Sequence, residues 1–313
     1  MRKIFLVILS VTLAAFVSGC SKSAKTSVTS SVPEQQLVQE VINDNPDLFL
    51  IDPTEDEDVD YSPILQSSAS LAPFYTDAQE ATLPVGWGRR REGFPEREIS
   101  ISISGDTAYV TVQKQVEGKL YIDRTDDGIK NPGSKPIDDT VTKKAYLEKV
   151  FGHWQLQELS CADVALTESV NQTVSITQVE LRGTNPDGSA EYYIDDPLNL
   201  MDLNTEFPYF SKGTEVTVIA TVDNTLDDWN PPVFVFLHYG KFRHNHRRVQ
   251  MFDDATHGDE VADDGKYTNS WTIQSNARIY RHLTVDVLDS GTMQNESNDD
   301  YNSGAWRIPY RTK

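Results

Sequence analysis

The sequence predicts an α+β N-terminal domain, a helix with a curved antiparallel sheet, followed by an all-β immunoglobulin-like sandwich. Three observations predict it. Apolar residues fall at helical spacing just after residue 34, the alternation changes to period two from Glu98, and about seven short strand-like runs follow Thr173. Period two marks half-buried strands, and short runs separated by turn residues mark a sandwich.

The elements follow in chain order. Arg2 and Lys3 precede the apolar run Ile4-Phe5-Leu6-Val7-Ile8-Leu9, which continues with little polarity to Val17. This is the layout of a secretory signal, too short and wrongly flanked for a lasting transmembrane helix. The run ends in Val17-Ser18-Gly19-Cys20, which resembles the lipobox of bacterial lipoproteins. That resemblance implies removal of residues 1–19 as signal peptide, a diacylglycerol thioether on Cys20 and acylation of the new N-terminus. Each buried methylene adds about 0.8 kcal/mol, so several chains together anchor stably where one would not. Ser21, where an aspartate would resemble an inner-membrane retention signal, favours the outer membrane. Residues 20–33 then read as a lipid-anchored flexible tether, spanning about 20 Å as a random coil.

Leu37, Val38, Val41 and Ile42 predict a helix from Glu34 to about Asn43, with Pro46 beyond its end. Residues 61–95 read as irregular, with aromatics at Phe74, Tyr75, Trp87 and Phe94. From Glu98, Ile99-Ile101-Ile103 and Ala108-Val110-Val112 alternate around a Gly105-Asp106 turn. Strands are expected again over Gln115–Asp123, Thr140–Val150 and Trp154–Ser160. A leading helix followed by long antiparallel strands resembles nuclear-transport-factor-two-like domains, which implies a cone enclosing a pocket over residues 34–163. Few apolar residues occupy Ala162–Gln172, so a boundary is expected there, with the sandwich over 172–313. Its expected strands are Thr173–Arg182, Thr214–Val222, Val233–Tyr239, Arg247–Phe252, Tyr267–Ile273, Tyr280–Leu288 and Ala305–Tyr310.

Between two of these strands lies Asp253-Asp254-Ala255-Thr256-His257-Gly258-Asp259-Glu260-Val261-Ala262-Asp263-Asp264-Gly265-Lys266-Tyr267-Thr268. It resembles the aspartate- and glycine-rich signature of immunoglobulin-like modules of the choice-of-anchor X type, with Ala255 where glycine is usual. The resemblance implies an exported, anchored module and assigns no activity. The stretch has two physical readings. Its aspartates can cap nearby backbone amides in a connecting loop. Alternatively Asp253, Asp254, Asp259, Asp263 and Asp264 can supply hard oxygens to calcium, which takes six to eight. The alternating ligands and final glutamate of an EF-hand are missing, and the loop reading is preferred. A second candidate, Asp123 with Asp126-Asp127-Gly128, opens like an EF-hand loop but has Ser134 where the glutamate belongs. The basic cluster Arg243, His244, His246, Arg247 and Arg248 reads as a solvated hairpin tip or as a contact for an anion or acidic glycan.

Charge and cysteines bound the function. Loss of residues 1–19 removes Arg2 and Lys3 and no acid, leaving 26 basic against 48 acidic residues, a net charge of −22. Such a chain repels nucleic acid, so none is expected as a partner. With Cys20 lipidated only Cys161 remains, which excludes an intramolecular disulfide and reads as a buried thiol near a strand end. The chain lacks Gly-x-Ser-x-Gly, His-Glu-x-x-His, a phosphate-binding glycine loop and Cys-x-x-Cys. The expected function is therefore a non-enzymatic envelope lipoprotein, reaching the membrane through Cys20 and binding an unknown envelope protein or polymer. The alternative is a small-ligand binder or enzyme using a pocket in the N-terminal domain, with Asp123, Tyr121, Tyr146 and Trp87 as candidate polar groups.

Overall fold

The computed structural model describes residues 33–49, 86–93, 97–124, 131–226, 232–241, 245–274, 280–295 and 301–312. The expected signal peptide, Cys20 and all but the last residue of the tether lie outside the described residues, as do Phe74, Tyr75 and Phe94. Helix α1 spans Glu34–Asp44. Val38 and Ile42, one turn apart, are buried and pack with Leu48 and Phe49 against strand residues such as Val110 and Leu147. Glu34 sits in the first turn, where a negative charge suits the helix dipole. Its carboxylate accepts from Lys149 Nζ at 2.6 Å and Trp154 Nε1 at 2.7 Å, fixing the helix start to the sheet.

The remaining elements are nearly all strands. They run β1 (Gly86–Arg91), β2 (Arg97–Ser104), β3 (Thr107–Asp123), β4 (Gly133–Val150), β5 (His153–Leu166), β6 (Val174–Asn185) and β7 (Gly188–Ile194). Then come the short β8 (Met201–Asp202) and β9 (Tyr209–Phe210), followed by β10 (Glu215–Asn224), β11 (Val233–Lys241) and β12 (Asn245–Met251). The chain closes with β13 (Lys266–Thr272), β14 (Tyr280–Asp289), a single turn α2 (Ser290–Gln294) and β15 (Ser303–Thr312). Asp289 caps α2 by accepting from the Gly291 and Thr292 amides.

Among the described residues the strands form two sheets. The larger follows the order β1-β3-β4-β5-β15-β14-β11-β12, with β2, β8 and β9 attached to β3, β5 and β15. The smaller follows β13-β10-β6-β7. Strand β3 carries two neighbours on one side: β2 pairs with Thr107–Lys114 and β1 with Gly118–Asp123. A Cβ on Gly118 would lie 2.4 Å from the Arg90 carbonyl oxygen, so only glycine lets β1 approach there.

The larger sheet is curled. Five strand steps separate β1 from β14, about 24 Å in a flat sheet. Yet Arg89 on β1 and Asp286 on β14 are in contact, with Nη1 2.5 Å from Oδ2 and Nη2 2.9 Å from Oδ1. Arg248 on β12 donates to the Trp87 carbonyl at 2.8 Å, and the Trp87 ring lies 4.9 Å from that of Phe236 on β11. The far edge has therefore been brought back to the near one.

Strands β11, β14 and β15 are buried on both faces. Val235, Leu237, Val285, Val287, Trp306 and Ile308 pack against Val179, Leu181, Val216 and Val218 of the smaller sheet. The alternate residues of the same strands, Phe236, Asp286 and Arg307, face the inside of the curl. Burial of each large apolar side chain contributes about 1.5–3 kcal/mol, and this double-sided layer holds the largest share of them.

The expected fold class is overturned. The described residues are mostly strand, α1 is the one helix among them longer than five residues, and strands from both expected domains share one curled antiparallel sheet. The joint is β5 against β15, where Val164, Asp163 and Ala162 stand opposite Ala305, Trp306 and Arg307. Residues 162–166, which read as the start of a linker, continue the strand: Ala162, Val164 and Leu166 are buried while Asp163 faces the other way. Glu34–Lys313 accordingly form one compact unit. No helix among the described residues is long and apolar enough to cross a membrane.

Candidate functional site

The inner face of the curl carries charge. On β4, Val141, Ala145 and Leu147 set the inward phase, and period two then turns Asp139 and Lys143 inward as well. Register carries this row around the curl. Lys143 stands opposite Ala162, Ala162 opposite Arg307, Arg307 opposite Thr284, and Thr284 opposite His238. Two residues along, Val141, Val164, Ala305 and Asp286 form the next row.

One group of these charges is compensated. Asp286 holds Arg89 in the two-point contact above, and His238 Nε2 lies 3.2 Å from Asp286 Oδ2, too far off line for a well-formed hydrogen bond. Burial pushes the Asp286 carboxyl up, but the Arg89 charge and the contacts from His238 and Arg89 pull it further down, well below the usual carboxylate range. Nearby, Asp139 accepts from the Tyr301 hydroxyl at 2.8 Å through one oxygen, while its other oxygen has no hydrogen-bond partner. Burial raises the Asp139 carboxyl to about 7, against the pull of Arg89 and Tyr301.

The second group is not compensated. Lys143 is fully buried and its Nζ has no hydrogen-bond partner among the described residues. Burial lowers its ammonium to about 7; the neighbouring Cys161 opposes the shift and Arg307 adds to it. His282, on the same strand as Thr284, also buries an unpartnered Nε2, and burial followed by the charges of Arg307 and Lys143 holds it well below its ordinary value. Sequence reading missed this set because Lys143-Lys144 and Asp138-Asp139 are adjacent like pairs. Extending the phase of Val141 and Ala145 by one step would have assigned the inward member of each.

Cys161 is buried, and burial pushes its thiol up to about 12, which leaves it protonated and inert. Of the other pocket candidates, Trp87 is buried beneath the Arg248 guanidinium, 3.7 Å from its ring, and Asp123 is buried at the end of β3. Tyr146 is turned outward, its ring 5.0 Å from that of the exposed Tyr109 and tilted against it, and its hydroxyl donates to Glu148 at 2.7 Å. The partial EF-hand at Asp126-Asp127 lies outside the described residues.

The acidic loop connects β12 to β13. Asp253, Asp259 and Asp264 each bring a carboxylate oxygen within 4.8 Å of the others; Asp254 and Asp263 stand outside that group. Most of these carboxylates also serve the loop's own backbone. Asp253 accepts from the Asp264 amide at 3.1 Å and the Gly265 amide at 2.8 Å. Asp259 accepts from the Ala255 amide at 2.7 Å, Asp254 from that of Thr256 at 2.9 Å, and Asp264 from that of Lys266 at 3.0 Å. Ala255, where the resembled signature has glycine, has a φ of 56°, and Asp263 one of 61°. Burial raises the Asp253 carboxyl, with the two amide bonds working against it. Because amides satisfy these oxygens, a chelator should leave the melting temperature unchanged within about a degree, and Asp253→Ala should cost about 1–2 kcal/mol by urea titration. A calcium-dependent rise in melting temperature that Asp253→Ala abolishes would instead establish a cation site.

In the basic cluster, Arg243 and His244 lie outside the described residues. His246 and Arg247 stand on β12 opposite Gly240 and Tyr239, and Arg248 is engaged with Trp87 across the closure of the curl. No protein-family model, curated protein or solved structure matches this chain.

Proposed function

We propose that this chain is a non-enzymatic envelope lipoprotein, anchored through lipid on Cys20 at the outer membrane, that presents its β-rich unit as a binding module. The observation that carries the reading is the apolar run ending in Val17-Ser18-Gly19-Cys20, followed by a Ser- and Thr-rich stretch before α1. The likeness of the acidic loop to anchored surface modules supports the same address. The mature net charge of −22 favours a basic or uncharged partner, a cationic peptide segment or a neutral glycan, over anionic ones. Cys20→Ser tests the anchor. The wild-type chain should fractionate with membranes and take up labelled fatty acid, whereas the variant should be soluble or remain as uncleaved precursor. Cleaved Cys20→Ser recovered in the membrane fraction would overturn the proposal.

A further inference from the structure

We propose that Lys143 and His282, beside Arg307, form an interior binding site for one oxyanion, the carboxylate or phosphate group of a small ligand, close to Ala162 inside the curl. The geometry is set by register. Lys143 and Arg307 flank Ala162 in one row, about 10 Å apart at the backbone, with the small alanine side chain between the two long ones. His282 lies diagonally beside Arg307, two residues from Thr284, which is its direct partner.

The chemistry follows from what is unsatisfied. Lys143 Nζ and His282 Nε2 are buried polar atoms without a hydrogen-bond partner, a condition native interiors generally avoid. Among the described residues, the groups acting on them are the Arg307 cation, the Cys161 thiol and, on His282, Lys143, with no carboxylate among them. A shortage of acids is not the reason: the chain has 48 acidic residues against 28 basic ones, and Arg89 and Lys149 each hold a carboxylate. An oxyanion would take up both donors, with the amine and imidazole binding as cations. The depressed lysine is what such a site shows before its anion arrives. The inference is independent of how the chain is anchored.

The full-length chain is melted at pH 7 after long incubation with sodium acetate or sodium phosphate, using sodium chloride at matched ionic strength as reference. At least one oxyanion should raise the melting temperature saturably by several degrees beyond chloride, and the one that saturates at lower concentration names the ligand class. Lys143→Met, which keeps the bulk and removes the amine, should lose the shift. In parallel, isotope-labelled lysine NMR of the wild-type chain should show the Lys143 ammonium titrating at least one pH unit higher with the anion bound. No shift beyond chloride, an equal shift in Lys143→Met, or an unmoved Lys143 titration would each overturn the site.

Discussion

Arg89→Met should destabilise the folded chain by about 3–5 kcal/mol, measured by urea denaturation near neutral pH. The substitution keeps much of the arginine's apolar stem but leaves Asp286 as a buried carboxylate, 1% exposed, without its cation. Removing one partner of a buried ion pair is costly because the other cannot return to water. Here it also releases the closure, since Arg89 is the contact from β1 to a strand five steps away in the sheet. Asp286 is held ionised in the folded chain, so its stabilisation is present above its unfolded value near 3.8 and is lost as acid protonates it at lower pH.

Lys143→Met should act in the opposite sense and stabilise the chain at pH 7 by on the order of 4 kcal/mol. The folded ammonium titrates at about 7 against 10.5 for an ordinary lysine. Between those values the unfolded chain carries the extra proton, so wild-type stability should rise with pH from about 7 to 10.5. Below 7 both states are protonated and the full cost of burying the charge applies. Asp139, raised to about 7 from 3.8, works the other way, its folded form holding the extra proton so that stability falls as pH rises between them. Together the two groups give the wild-type curve a minimum near neutrality. Urea titrations from pH 7 to 9, in buffers free of carboxylate and phosphate, should show the rising limb in the wild type and no such limb in Lys143→Met. A variant less stable than wild type at pH 7, or one keeping the limb, would show that Lys143 is compensated in the folded chain. A site that weakens the fold in order to hold an anion is the usual relation between stability and binding.

Much of the local structure was legible in the residues, and the architecture was not. Leu37, Val38, Val41 and Ile42 place the helix correctly, and the strands expected over Ile99–Val112 and from Thr173 onward coincide with observed ones to within a few residues. Each of those signals is a short-range period. The β5–β15 joint is different, because Ala162 and Arg307 are far apart in the chain and nothing local marks them as partners. The linker reading of Ala162–Gln172 failed for a related reason: Asp163 made the segment look polar although the alternate residues are buried. Strand β1 was missed because Gly86-Trp87-Gly88-Arg89-Arg90-Arg91 carries glycines and arginines that argue against a strand until Arg89 and Trp87 are seen facing the interior. The acidic loop shows the reverse case. Its aspartates and glycines announced amide capping in the sequence itself, and the bonds of Asp253, Asp254, Asp259 and Asp264 to their own backbone are local.

The large sheet curls until β1 meets β14, and a double-mutant cycle on Arg89 and Asp286 measures that contact. The unfolding free energies of wild type, Arg89→Met, Asp286→Asn and the double variant would be measured in urea at one pH. Residues in contact couple, whereas distant ones add within about 0.3–0.5 kcal/mol. The double variant should be less destabilised than the sum of the single ones by about 2 kcal/mol or more, since the second substitution removes a charge already left unpaired. Additive losses would mean that these residues, 197 positions apart in the chain, do not meet, and that the sheet is open.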